Sequence, residues 1–127
     1  MVSTQTLTDT TGVKFAVKMT NISDGTGENL VTKVDASNTT FMTEDGERKI
    51  SKIYWSINTQ SGKSSVELLW AGTTNATAVS LSGQGFWDLR ADGNEITNNA
   101  TSPTGDVLLS TRNFATGDNY TILVVFR

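Results

Sequence analysis

Apolar and polar residues alternate along Val13-Phe15-Val17-Met19, with Lys14, Lys18 and Thr20 on the other parity. This is the period-2 signature of a strand with one wet face. The same period recurs at Ile53-Trp55-Ile57 within residues 50–57 and at Val66-Leu68-Trp70 within residues 65–71. The turn residues Gln60-Ser61-Gly62-Lys63 between them predict a hairpin in which these two strands pair. Further strands are expected over residues 30–34, 78–82, 86–90, 107–111 and 120–126, the last apolar on both faces as a central strand is. Residues 38–42 are expected to extend, Glu44-Asp45-Gly46-Glu47 to turn, and residues 91–105, which hold Pro103, to form a long irregular stretch. Gly83-Gln84-Gly85 leaves room only for a tight turn or a bulge. Residues 2–8 are Thr-rich and alternate weakly, so residues 1–8 are expected to be an extended N-terminal arm or an edge strand.

No helical apolar periodicity survives over a useful window. Eight or nine short strands with evenly spaced turn signals predict an all-β fold: a single antiparallel β-sandwich, jelly-roll-like, without substantial helix. A chain of 127 residues fits one such domain over residues 1–127.

Composition sharpens this picture mainly by exclusion. Zero cysteine removes disulfides, thiolate ligands and a cysteine nucleophile, and zero histidine removes the commonest general base and metal ligand. A net charge of −3 gives no basic field to attract phosphates, so neither nucleic acid nor an anionic membrane is an expected partner. The N-terminus reads without the charge and apolar run of a secretory signal, so the expected site of synthesis and folding is a cytoplasm. Thr, Ser and Asn together supply 43 residues, which suits a neutral, solvated surface.

The candidate chemistry is sparse. Asp88 and Asp92 are the carboxylate pair nearest to glycosidase spacing, but on one strand they would lie about 13 Å apart, too far for either mechanism. Pairing of Asp88 with Arg90 on the same face is the simpler reading. The acidic turns Asp24-Gly25-Thr26-Gly27-Glu28 and Asp92-Gly93-Asn94-Glu95 offer oxygen ligands without the spacing of a calcium loop, and turn chemistry explains them. No metal and no cofactor is expected. Asn-X-Ser/Thr triplets at Asn21, Asn38, Asn75, Asn99 and Asn119 are close to what such a composition produces by chance.

Strand parity places Trp55, Trp70 and Trp87 with their apolar neighbours, so all three are expected in the core. Phe86 instead shares a face with Asp88 and Arg90, and an exposed Phe beside a charge pair is a candidate interface anchor. A row of exposed rings on a sandwich would be a sugar platform, which the parity argues against.

Ser82-Gly83-Gln84-Gly85-Phe86-Trp87-Asp88-Leu89-Arg90, followed by Thr104-Gly105-Asp106-Val107-Leu108-Leu109-Ser110-Thr111 and Asn119-Tyr120-Thr121-Ile122, resembles small virion structural proteins of marine tailed phages. Ser51-Lys52-Ile53-Tyr54 before the expected hairpin belongs to the same likeness, which covers residues 50–127. The resemblance implies a non-enzymatic head decoration or cement protein of the virion, assembled in the host cytoplasm. Its expected partners are the major capsid protein or other virion proteins, and a homo-oligomer, such as a trimer at a threefold position, is expected. Expected interface residues are Phe86, Asp88 and Arg90, with Val2, Thr4 and Thr6 of the N-terminal arm. The alternatives are a neck, tail or fibre-attachment protein and a carbohydrate-binding module.

Overall fold

A computed structural model describes residues 2–10, 14–43, 47–90 and 93–127. Nine strands form: β1 (Val2–Thr10), β2 (Lys14–Ile22), β3 (Val31–Val34), β4 (Ile50–Asn58), β5 (Ser65–Thr74), β6 (Ala76–Leu81), β7 (Gln84–Asp88), β8 (Thr101–Arg112) and β9 (Asn119–Phe126). The helical content of the described residues is one 3-10 turn, Ala36–Asn38, capped by the Asp35 carboxylate. Two antiparallel sheets result, ordered β1-β2-β9-β4-β7 and β3-β8-β5-β6.

From β2 onward the chain crosses from one sheet to the other at every connection except the β5–β6 hairpin. Eight strands wound this way make a jelly roll, with β1 added at the edge beside β2. The alternation read from the sequence sets the inward faces. Phe15, Val17 and Met19 of β2, Ile53 and Ile57 of β4, and Tyr120, Ile122, Val124 and Phe126 of β9 meet Val66, Leu68 and Trp70 of β5 and Val107 and Leu109 of β8 in one core. Trp70 lies edge-on to Phe126 with ring centroids 6.0 Å apart.

Four expectations need correction. Residues 50–57 and 65–71 do not pair: β4 lies between β9 and β7, and β5 between β8 and β6. Each strand has one apolar face, and putting them in opposite sheets lets those faces meet across the core. The intervening turn is therefore an arch, with Gly62 at φ 67° and Ser64 Oγ donating to Asn113 O at 2.6 Å. Residues 38–42 do not extend, because Asp9 of β1 captures them: its carboxylate accepts from Thr40 N at 2.9 Å, Thr40 Oγ1 at 2.7 Å and Phe41 N at 3.0 Å. Nor are residues 93–105 wholly irregular. Ile96 exchanges backbone hydrogen bonds with Ile50, and β8 begins at Thr101 with Pro103 opposite Gly72, beside an irregularity in the β5 pairing that spares the missing N–H. The fourth correction concerns Trp55 and Trp87, which are taken up with the surface they help to form. Val13, Asp92 and the turn residues Glu44, Asp45 and Gly46 lie outside the described residues.

The five-stranded sheet is wider than its partner, and its edge strands overhang the core. Every residue of β1 and β7 is exposed or half-buried. Gly83 (φ 62°) turns the chain from β6 in one sheet into β7 in the other.

Candidate interaction surface

On the outer face of the five-stranded sheet, the β4–β7 register sets Lys52 opposite Asp88, Tyr54 opposite Phe86 and Ser56 opposite Gln84. On the other side of β4, Leu123 of β9 stands opposite Tyr54 and Val125 opposite Lys52. Tyr54 and Phe86 stack with centroids 4.6 Å apart and planes 19° from parallel. An apolar stripe of Leu123, Tyr54 and Phe86 thus crosses three strands and ends at the sheet edge. Phe86 is 53% exposed, with one ring face against Tyr54 and the other directed past the last strand.

Charges border the stripe on one side. The Asp88 carboxylate accepts from Arg90 N at 3.2 Å and Arg90 Nε at 3.4 Å and lies 3.9 Å from Lys52 Nζ. The hydrogen bond from the Arg90 side chain, then that from its backbone, with the Arg90 and Lys52 charges behind them, hold this carboxyl below the ordinary aspartate value. Gln84 Nε2 donates to Asn58 Oδ1 at 3.4 Å on the opposite side of the stripe.

The reverse face of β7 carries Trp87, opposite Ile53 and 44% exposed. Here the expectation of three core tryptophans is corrected. Trp70 is buried, Trp55 is half-buried against the core, and Trp87 lies at the surface. Parity gave the inward direction correctly, but an inward residue on an overhanging edge strand has no second sheet above it. Trp87 packs edge-on against Trp55 at 5.2 Å, and Trp55 Nε1 donates to Ser82 O at 3.0 Å. The Trp55 ring lies directly over Gly85, where a Cβ would sit 2.4 Å from its Cζ2, so glycine at that place is what lets the indole lie flat.

The edge itself has free hydrogen-bonding capacity. Ile57 N–H donates to Gly83 O and Leu89 N–H to Ser51 O, so the odd-numbered residues of this segment face β4. Ladder alternation then turns the backbone groups of Gln84, Phe86 and Asp88 outward, away from β4. A short strand with outward backbone groups and a large ring on each face can take a further strand or a packed loop.

Of the sequence-predicted interface residues, Phe86, Asp88 and Arg90 come together at this edge. Val2, Thr4 and Thr6 do not join them. They lie on β1, opposite Asn21, Met19 and Val17, at the other edge of the same sheet, four strand spacings or about 19 Å away. All three are exposed. Sequence reasoning missed Tyr54, although its parity, opposite to Ile53, Trp55 and Ile57, already directed it outward.

Other candidate sites resolve into structural roles. The Asp24 carboxylate accepts from Thr26 N at 3.0 Å and Thr26 Oγ1 at 2.6 Å, closing its own turn. A cleft of about 440 Å³ lined by Asp35, Ser37, Pro103, Thr104 and Asp106 has both acids engaged, Asp35 with Ser37 and Asp106 with Ala36 N. Among the described residues no three acidic side chains gather closely enough to hold a metal ion. Among the described residues no helix is long and apolar enough to cross a membrane.

No family model matches the chain, and no curated protein sequence matches it. Among solved structures it is similar to a mutant of a family 29 carbohydrate binding module, CBM29-2, at 9% identity and TM-score 0.40, covering 92% of this chain and 64% of that one. It is similar to the capsid structure of the Helicobacter pylori bacteriophage KHP30 at 15% identity and TM-score 0.45, covering 98% and 92%. It is also similar to the STIV MCP at 9% identity and TM-score 0.42, covering 91% of this chain and 41% of that one. These are likenesses of β-sandwich architecture.

Proposed function

We propose that this chain is a non-enzymatic structural protein of a tailed-phage virion, a head decoration or cement protein that docks on its protein partner through the β7 edge. The observation that carries the reading is the Tyr54–Phe86 stack, an aromatic pair at an open sheet edge beside the Lys52–Asp88–Arg90 charges. An apolar centre with a charged rim is the anatomy of a protein interface. The Gly85-Phe86-Trp87-Asp88-Leu89-Arg90 segment, which contains most of this edge strand, also belongs to the resemblance to phage virion proteins. A neck, tail or fibre-attachment protein would use the same edge at a different copy number.

Quantitative mass spectrometry of purified source particles separates these readings. A ratio to the main shell protein near one, or near a simple fraction of it, is expected for decoration, and a handful of copies would place the chain at the neck, tail or fibre. Its absence from particles would overturn the virion reading. A carbohydrate-binding role is the second reading, favoured by the exposed Trp87 ring, and it requires that a sugar quench tryptophan fluorescence.

A further inference from the structure

A buried polar cluster stands at one end of the sandwich. Asn21 closes the inner face of β2 and pairs with Tyr120 of β9. Glu28, in the segment between β2 and β3, is fixed against β8: its N–H donates to Thr111 Oγ1 and its carbonyl accepts from Thr111 N, both at 2.9 Å. Lys33 is the residue skipped by the β3–β8 register, between Thr32 opposite Leu108 and Val34 opposite Val107, and its side chain is only 2% exposed.

One carboxylate joins these groups. Glu28 Oε2 lies 2.5 Å from Lys33 Nζ, and Oε1 accepts from Asn21 Nδ2 at 2.9 Å and from Tyr120 Oη at 2.6 Å. A lysine ammonium carries three donors, yet among the described residues this one meets a single acceptor, Glu28 Oε2. A buried ion pair repays its desolvation only when its remaining hydrogen-bonding capacity is met, and here it is not.

We infer that Lys33 and Asn21 form a self-catalysed amide cross-link between Nζ and Cγ, with Glu28 as the proton relay, releasing ammonia. The carboxylate touches the nucleophile through one oxygen and the leaving group through the other, which is what a general acid–base for amide exchange has to do. One proton passes from the Lys33 ammonium to Oε2, leaving a neutral amine whose lone pair attacks Asn21 Cγ. The carboxyl group delivers that proton through Oε1 to Nδ2 of the tetrahedral intermediate, and the carboxylate so regenerated takes a second proton from Nζ. The Cγ–Nδ2 bond then breaks, and ammonia departs and carries the remaining proton away from Glu28 as ammonium. One C–N bond forms, one breaks, and nothing is oxidised or reduced, so no co-reactant is needed. The Tyr120 hydroxyl holds the carboxylate orientation, and the exchange removes the undersatisfied ammonium. The product ties β2 of one sheet to β3 of the other, a covalent clamp in a chain with no cysteine. The inference is independent of the virion reading.

Intact mass of the purified full chain tests it. The expected mass is lower than the sequence mass by about 17 Da, one ammonia, after allowance for the initiator methionine. Trypsin should fail to cut after Lys33, giving a fragment that runs from Met19 to Arg48, and cleavage after Glu28 should leave its two halves joined. Lys33→Arg and Glu28→Gln should run at their sequence masses, while Asn21→Asp should close with loss of water, about 18 Da. A wild-type chain at its full sequence mass overturns the inference, without reliance on any variant folding. So does a deficit mapped to a peptide in which residues 21 and 33 are not joined, or a deficit that survives in Glu28→Gln.

Discussion

Trp70 is the largest fully buried side chain, 1% exposed, edge-on to Phe126, and its indole N–H has no hydrogen-bond partner among the described residues. Two substitutions separate these properties. Trp70→Ala removes the whole ring from a core whose sheets are fixed on both sides, at a cost of about 3–5 kcal/mol. At roughly 3–5 °C per kcal/mol for a domain of this size, Tm should fall by more than about 10 °C. Trp70→Phe keeps a ring against Phe126 and deletes the N–H. Its packing loss of about 1–2 kcal/mol is set against relief of an unpaired buried donor worth about 1–3 kcal/mol. The net change should be within about 1 kcal/mol of zero. Urea unfolding followed by fluorescence measures both, because Trp55 and Trp87 remain as reporters. Equal losses for Trp70→Phe and Trp70→Ala would show that the indole N–H is satisfied. A loss under about 1.5 kcal/mol for Trp70→Ala would remove Trp70 from the core altogether.

Burial, reinforced by donation to Glu28 and by the Glu28 charge, holds the Tyr120 hydroxyl far above the ordinary tyrosine value of 10.0. A raised folded-state value contributes stability below about pH 10, which is lost at about 1.4 kcal/mol per pH unit as the pH climbs beyond it. Alkaline titration of the unfolding free energy should show that slope, and Tyr120→Phe should flatten it. At the acid end, hydrogen bonds from Thr40 and Phe41 hold Asp9 below its ordinary 3.8, so its contribution is present above that value and is lost as the pH falls beneath it. Asp9→Ala should release the loop over residues 35–43 at a cost of about 1 kcal/mol and weaken the acid dependence of denaturant midpoints. Gly85→Ala should push the Trp55 ring off β7, cost about 1–3 kcal/mol and change the near-ultraviolet circular dichroism of the Trp55–Trp87 pair; an unaltered spectrum would contradict the ring placement.

Strand positions and inward faces were legible because alternation is a local property. Ile53, Ile57, Val66, Leu68 and Trp70 all point where their spacing directs them. Sheet membership was not legible, since a turn such as residues 60–63 serves a hairpin or an arch equally well, and only the demand that two apolar faces meet decides between them. Trp87 shows the limit most clearly. Its parity is right, yet whether an inward residue is covered depends on the width of the opposite sheet. Phe86 could be read as exposed from Asp88 and Arg90 beside it, while its stacking on Tyr54 needed the β4–β7 register. The cluster of Asn21, Glu28, Lys33 and Tyr120 left no signal, because it comes from two sheets and a loop and its lysine sits where the β3 register skips a residue.

The central claim, that the β7 edge docks a virion partner, is tested by adding purified chain to source particles stripped of it and measuring rebinding of a Phe86→Ser, Trp87→Ser variant against wild type. Each ring is about half exposed and belongs to one aromatic pair, so the double variant should lose about 2–3 kcal/mol and about 6–15 °C in Tm, and rebinding is measured well below that transition. The wild type should rebind to saturation and the variant should lose rebinding. A folded variant that rebinds like the wild type would contradict it.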